Sequence, residues 1–216
     1  MTSRPLYFKQ LQLGPMQNFV YLLGDPASRE AAVVDPGWGV PSILEQLKQD
    51  GYRLVRVFVT HTHFDHVQGL QELLTRVDVP VHVHRSEAAA LALEPPTLKP
   101  VGHGEVIRVG NVGVTLLHTP GHSPGSQCLL VDDRLLSGDT LFIGGCGRCD
   151  LLGGDPKALY TSLVDRLKTL KDTTPLFPGH DYAEVPSSTV GQEKQTNPFL
   201  RVGTLQEFLR LLGLGG

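Results

Sequence analysis

Cysteine is scarce in this chain. Of 216 residues only three are cysteine, Cys128, Cys146 and Cys149. That excludes the disulfide framework on which small secreted domains depend. Cys146 and Cys149 make a C-x-x-C spacing, but they lie in the glycine-rich run Gly144-Gly145-Cys146-Gly147-Arg148-Cys149, with no βαβ context. They read as incidental thiols rather than a thioredoxin-like pair, and Cys128 alone cannot complete a structural zinc site with them. Long apolar runs are also missing. None approaches the roughly 18–20 residues that span a bilayer. Met1 to Gln10 lacks the apolar stretch of a signal peptide, so a cytoplasmic protein without a membrane partner is expected. Nor is there an excess of one charge. Nineteen Lys and Arg stand against 22 Asp and Glu, a net charge of −3, which gives no electrostatic reason to expect nucleic acid as a partner. Repeats and low-complexity tracts are absent, and a single domain over residues 1–216 is expected.

What the chain does have is glycine (24) and proline (16), which favour tight turns over long helices, and 40% hydrophobic residues, enough for a sizeable core. Alternating and continuous apolar runs predict strands at Phe19 to Leu23, Ala31 to Val34, Leu54 to Val59, Val79 to Val83 and Thr174 to Phe177. Hairpins are predicted around Gly110-Asn111 and Asp132-Asp133, joining Glu105–Val109 to Val112–Leu117 and Gln127–Val131 to Leu135-Leu136. Helices are predicted at Ser42 to Asp50, with Ser42 and Glu45 as a capping box, and at Gly69 to Arg76. Others are expected at Ser86 to Leu93, Pro156 to Leu170, Val190 to Gln195 and Thr204 to Leu212. Pro95 to Pro100 reads as a loop. The pattern implies α and β elements in one domain.

Four metal-binding side chains, His61, His63, Asp65 and His66, fall within six positions directly after the apolar strand Leu54 to Val59. A strand end is a rigid place from which to aim ligands. The design repeats three times. His122 lies in Thr119-Pro-Gly-His-Ser-Pro-Gly125, Asp139 in Ser137-Gly-Asp-Thr140 and His180 in Pro178-Gly-His-Asp181. Each follows an apolar strand and adjoins a glycine, which permits tight backbone geometry near an ion. Imidazole and carboxylate suit zinc, iron and manganese alike. His82, His84 and His103 read as surface or satisfied histidines. His118, just before the His122 loop, reads the same way, with a supporting role to His122 as the alternative.

His61-Thr-His-Phe-Asp-His66 resembles the signature of the metallo-β-lactamase superfamily. Asp35, His122, Asp139 and His180 match its other motifs in the same order. The resemblance implies a four-layer αββα sandwich with a metal site at one edge. It implies that His61, His63 and His122 hold one ion, that Asp65, His66 and His180 hold a second, that Asp139 bridges them, and that Asp35 orients the histidine loop. Within the superfamily, Gly145-Cys-Gly-Arg148 and Pro178-Gly-His-Asp-Tyr182 resemble type II glyoxalases, where residues at the places of Arg148 and Tyr182 help hold glutathione. Tyr21-Leu-Leu-Gly-Asp25, Ser28-Arg-Glu-Ala31, Arg148 with Asp150, and Ser188-Thr-Val190 with Glu193 and Asn197-Pro198 resemble persulfide dioxygenases. Those enzymes carry one iron, on residues matching His61 or its neighbours, His122 and Asp139.

The activity these likenesses imply is hydrolysis of a small acyl thioester by hydroxide activated at a binuclear centre. Asp65 and Asp139 would act in catalysis, and Arg148 and Tyr182 in substrate binding. The alternatives are a mononuclear iron persulfide dioxygenase and a hydrolase of a lactone or other ester. The expected cofactor is two divalent ions, zinc foremost, with iron or manganese accepted by the same donors. The expected partner is a small molecule, a glutathione conjugate in the thioester reading, and the expected assembly a monomer or homodimer. Trp38, just beyond Asp35, reads equally as an aromatic that overhangs the pocket and as a packed surface aromatic.

Overall fold

Successive strand residues point to opposite faces of a sheet, and Asn18–Asp25 is buried along its whole length. Val20 and Leu22 pack with Val40, Ile43 and Leu47 of a helix on one side. Phe19, Tyr21 and Leu23 pack on the other with Val114, Leu116, Leu129 and Val131 of a second sheet. The next strand divides in the same way, Ala31 and Val33 outward, Ala32 and Val34 inward. Strands buried on both faces require a layer on each side.

The computed structural model describes residues 6–214; residues 1–5 of the segment read for a leader, and 215–216, lie outside that range. The first sheet has the order β1 (Tyr7–Leu13), β2 (Asn18–Asp25), β3 (Glu30–Val34), β4 (Arg53–Phe58), β5 (Val81–His84), β6 (Leu98–Val101). The second contains β7 (Val106–Val109), β8 (Val112–His118), β9 (Gln127–Val131), β10 (Arg134–Gly138), β13 (Pro175–Pro178) and β14 (Ser188–Thr189), in the spatial order β14-β13-β10-β9-β8-β7. Between β10 and β13 a short hairpin pairs β11 (Leu141–Phe142) with β12 (Gly145–Cys146). The helices α1 (Val40–Asp50), α2 (Phe64–Val67) and α3 (Leu70–Arg76) accompany the first sheet. The helices α4 (Pro156–Thr161), α5 (Val190–Thr196), α6 (Pro198–Arg201) and α7 (Leu205–Leu211) accompany the second. There Leu135, Leu141 and Leu176 pack with Leu159, Leu163, Leu167, Leu200 and Phe208. Three apolar layers thus separate helices, sheet, sheet and helices, the expected αββα sandwich. No helix among the described residues is long and apolar enough to cross a membrane.

Strand direction places the site. β8 and β10 both run antiparallel to β9, and β13 runs parallel to β10, so β8, β10 and β13 all end at one edge. The end of β4 is tied to the same edge across the sandwich. The Gln127 backbone N–H donates to the Thr60 carbonyl at 2.9 Å, and its side-chain amide donates to the Val59 carbonyl at 2.8 Å.

Several local expectations change. α1 starts at Val40 after Gly39, with Pro41 in its first turn, so Ser42 and Glu45 are inside the helix and make no capping box. The capping box is instead at Thr204 and Glu207, opening α7. Ser86 to Leu93 contracts to a 3₁₀ turn, Ala88–Leu91. The Pro95 to Pro100 loop gives way at Leu98, where β6 pairs with β5. The segment from Pro156 is α-helical to Thr161, with Asp155 as N-cap, then widens to a π turn and tightens to a 3₁₀ turn by Thr169. β1, whose alternation is weak because most of its residues are only half-buried, escapes sequence pattern altogether. His82 is neither at the surface nor satisfied: it is buried, stacked on Phe58, with no hydrogen bond to either ring nitrogen. His84 is buried too, stacked on His118.

Phe208 is fully buried and contacts Tyr160 and Phe199 by its ring. It fastens α7 to α4 and α6. Phe208→Ala is expected to lower unfolding stability by about 3–5 kcal/mol, measured by urea denaturation. A loss below about 1 kcal/mol would show that α7 does not share the cooperative core.

Candidate metal centre

All seven predicted ligands come together at that edge. His61 and His63 lie in the segment after β4. Asp65 and His66 stand on α2 rather than on a loop. His122 follows β8, Asp139 follows β10 and His180 follows β13. Their donor atoms form two clusters, His61, His63, His122 and Asp65, His66, His180, with a third grouping of His61, His66 and Asp139 lying across them. Asp139 Oδ2 is 3.6 Å from His122 Nε2 and 3.3 Å from His180 Nε2, so one carboxylate oxygen reaches both clusters. A Cβ on Gly147 would lie 1.8 Å from the Asp139 carbonyl oxygen, so only glycine lets this loop approach the site so closely.

The hydrogen bonds on the far side of each ring decide what the near side presents. His122 Nδ1 donates to the Arg148 carbonyl at 2.7 Å, His180 Nδ1 to the Met16 carbonyl at 2.9 Å and His66 Nδ1 to Asp35 Oδ2 at 3.0 Å. Thr60 Oγ1 gives its proton to Asp35, so it accepts from His61 Nδ1 at 3.1 Å. Four Nε2 lone pairs therefore face inward. His122 Nε2 lies 3.2 Å from His61 Nε2 and 2.9 Å from His63 Nδ1, and His66 Nε2 lies 3.2 Å from His180 Nε2. Lone pairs approach this closely only with a proton or a cation between them. For tetrahedral zinc with nitrogen bonds of about 2.05 Å, the expected nitrogen–nitrogen edge is about 3.3 Å. Asp139 Oδ1, buried without a hydrogen-bond partner, is another donor left over for an ion. The donor set fits two divalent ions.

The charges agree. Burial works against ionised Asp139, yet His66, His180 and His61 hold it well below the usual carboxylate range. Asp65 is pushed down to about 2: burial opposes its charge, while His180, His66 and Asn18 outweigh that. Burial keeps His61 neutral. For His180, burial also disfavours charge, but Asp139 and Asp65 raise it to about 9. Carboxylates that hold a proton on an imidazole will equally hold a metal ion in its place.

A supporting layer fixes the donors. Asp35, at a backbone φ of 53° that Asp tolerates better than most residues, accepts from the Thr60 N–H at 2.7 Å and hydroxyl at 2.6 Å as well as from His66. Two supporting side chains escaped sequence reasoning. Asn18 Nδ2 donates to Asp65 Oδ2 at 2.9 Å. Glu87 is buried and joins the two histidine loops. It accepts from the Thr62 N–H and hydroxyl at 2.6 and 2.8 Å, from the Gly125 N–H at 2.8 Å, and from the Ser123 hydroxyl. Its only trace in the sequence is a carboxylate at the head of the apolar run Ala88-Ala-Ala-Leu-Ala-Leu93. The Arg148 and Met16 carbonyls left no trace, since every residue has one.

Arg148 enters the site by its carbonyl, while its exposed guanidinium makes two bonds of 2.9 Å to Asp150. Tyr182 is 58% exposed and stacks on His180, with ring centroids 4.6 Å apart. Trp38 Nε1 donates to Asn18 Oδ1 at 3.1 Å, which links it through Asn18 to Asp65.

Two outcomes are expected. Glu87→Ala strands the Thr62 and Gly125 N–H groups and is expected to cost about 3 kcal/mol and 10–100-fold in metal affinity, roughly the effect of losing such outer support. Urea denaturation with and without zinc, and competition with a chelator, measure both; unchanged metal affinity would remove Glu87 from the supporting role. His180 holds its proton up to about pH 9 without metal. Metal must displace that proton, so affinity should rise with pH and level off above about 9. Calorimetric zinc titration in buffers of different ionisation enthalpy should show more proton release at about pH 7 than at about pH 9.5.

The sequence profile of the Metallo-beta-lactamase superfamily matches residues 13–180. The chain is 35% identical over 213 residues to the probable metallo-hydrolase YqgX of Bacillus subtilis, covering 89% of this chain and 97% of that protein. It is 33% identical over 218 residues to the mitochondrial persulfide dioxygenase ETHE1 of Homo sapiens, covering 98% and 82%. Its fold superposes on TTHA1623 in a di-iron-bound form with a TM-score of 0.74 at 35% identity, covering 89% of this chain and all of that one. A match over most of its length, together with inward-facing donors enough for two ions, means that the chain belongs to the metallo-beta-lactamase superfamily and is built as one of its metal-dependent hydrolases.

Proposed function

We propose that the chain hydrolyses a small acyl thioester at a two-metal centre, with zinc as the metal. His61, His63 and His122 would hold one ion, Asp65, His66 and His180 the other, and Asp139 would be shared. The observation that carries this reading is the position of Asp139 Oδ2, within 3.6 Å of His122 and 3.3 Å of His180. Ions held there would acidify a coordinated water and polarise a carbonyl oxygen. Attack by water forms a C–O bond, breaks the C–S bond and leaves a carboxylic acid and a thiol. Asp65, pushed down to about 2 and anchored by Asn18, stays ionised near neutral pH. Its work is to orient water by accepting a hydrogen bond, not to store the proton. Asp35 and Glu87 keep the imidazoles in place through the reaction.

Arg148 and Tyr182 are the candidates for holding the thiol carrier. The Arg148 fork is already matched to a carboxylate, that of Asp150, and a carboxylate on the carrier has the same geometry to offer. A second reading, oxidation of a persulfide at a single iron, is favoured by the likeness to the human persulfide dioxygenase over 98% of the chain.

Metal analysis combined with a panel of thioesters, lactones and glutathione persulfide tests the proposal. Two metal equivalents, thiol release from a thioester, and loss of turnover with lowered metal content in Asp139→Ala are expected. One iron per chain, with persulfide-dependent oxygen uptake and no thiol release, would overturn it. Arg148→Ala should raise KM for a glutathione thioester roughly threefold, in line with the modest worth of an exposed charged contact. An unchanged KM would remove Arg148 from carrier binding.

A further inference from the structure

Phe64 and Trp38 have no part in holding metal, yet they adjoin the segment that carries His63, Asp65 and His66. Phe64 lies in the chain between His63 and Asp65 and is 58% exposed. Trp38 meets it edge-on, ring centroids 6.5 Å apart at 85°. The indole is held at two points. Its N–H donates to Asn18, the residue that anchors Asp65. Its ring also lies against the β1–β2 turn so closely that a Cβ on Gly14 would be 2.3 Å from it. Such a pair forms an apolar wall, and the Phe64 ring, next in the chain to His63 and Asp65, keeps more than half of its surface open to an incoming group. Arg148 and Tyr182, the candidates for the carrier, stand by His122 and His180.

We propose that Trp38 and Phe64 form an acyl subsite, so that the preferred substrates carry an apolar acyl group, aromatic or aliphatic, rather than a small hydroxyacyl group. The chemical reason is direct. An acyl chain leaving water for two aromatic faces gains roughly fourfold in affinity for each methylene fully buried, and a hydroxyl placed there would lose its hydrogen bonds to water. Phe64 and Trp38 are then specificity-determining residues for the reaction at the adjacent metals.

The proposal rests on the thioester reading for the reaction but not for the binding, and the test separates the two. Trp38 is the single tryptophan of the chain, so its fluorescence reports this wall alone. In the metal-loaded protein, phenylacetate is expected to change Trp38 emission at concentrations where acetate does not. Phe64→Ala should require at least about fivefold more phenylacetate for the same change, in proportion to the apolar surface lost. In turnover, thioesters of one carrier should show kcat/KM rising at least about tenfold from acetyl to phenylacetyl or hexanoyl. Phe64→Ala should lower the phenylacetyl-to-acetyl ratio about fivefold, while Leu211→Ala, an exposed leucine on α7, leaves it unchanged. An emission change without thioester turnover supports the subsite and overturns the thioester reading. Thioester turnover with equal rates for acetyl and phenylacetyl and no selective emission change overturns the subsite and leaves the reaction standing.

Discussion

Inward-facing donors are the constraint on which this structure depends. Five imidazole nitrogens and two carboxylates meet in a largely buried cluster. They repel one another unless a positive charge lies among them, and burial makes that repulsion strong. Such an arrangement persists only where the surrounding structure holds each group from behind. The αββα sandwich does so because β4, β8, β10 and β13 all deliver their ends to one edge, and three apolar layers keep those ends in place.

The holding is done mostly by hydrogen bonds from outside the donor set. Asp35 ties His66 to the start of the β4 loop, and Glu87 ties that loop to the one bearing His122. Asn18 holds Asp65, and the carbonyls of Arg148 and Met16 set the tautomers of His122 and His180. The contacts to His66, His122 and His180 each occupy the far ring nitrogen, so the near one is left free for an ion. The chemistry thus follows from the bonding behind the ligands as much as from the ligands.

The margin of the site divides by character. Arg148 and Asp150 form an exposed ion pair in the loop whose carbonyl meets His122. Trp38 and Phe64 bring aromatic surface beside Asp65, and Tyr182 covers His180.

The sequence alone determined which residue types stand at the ends of which strands. His61, His63, Asp65, His66, His122, Asp139 and His180 were legible because ligand identity and local spacing are covalent properties of the chain. The two-sided burial of β2 and β3 was legible as apolar runs for the same reason. Tertiary structure decided the rest. Which donors share an ion depends on contacts such as His122 with His63, 59 residues apart, and His66 with His180, 114 apart. Glu87 and Asn18 looked ordinary until folding buried them against loops remote in sequence. Arg148 presented a guanidinium to sequence reasoning, while folding uses its carbonyl for His122 and gives the guanidinium to Asp150. Backbone carbonyls and through-space pairings have no signature in residue type, because they arise only when separate strands are brought to a common edge.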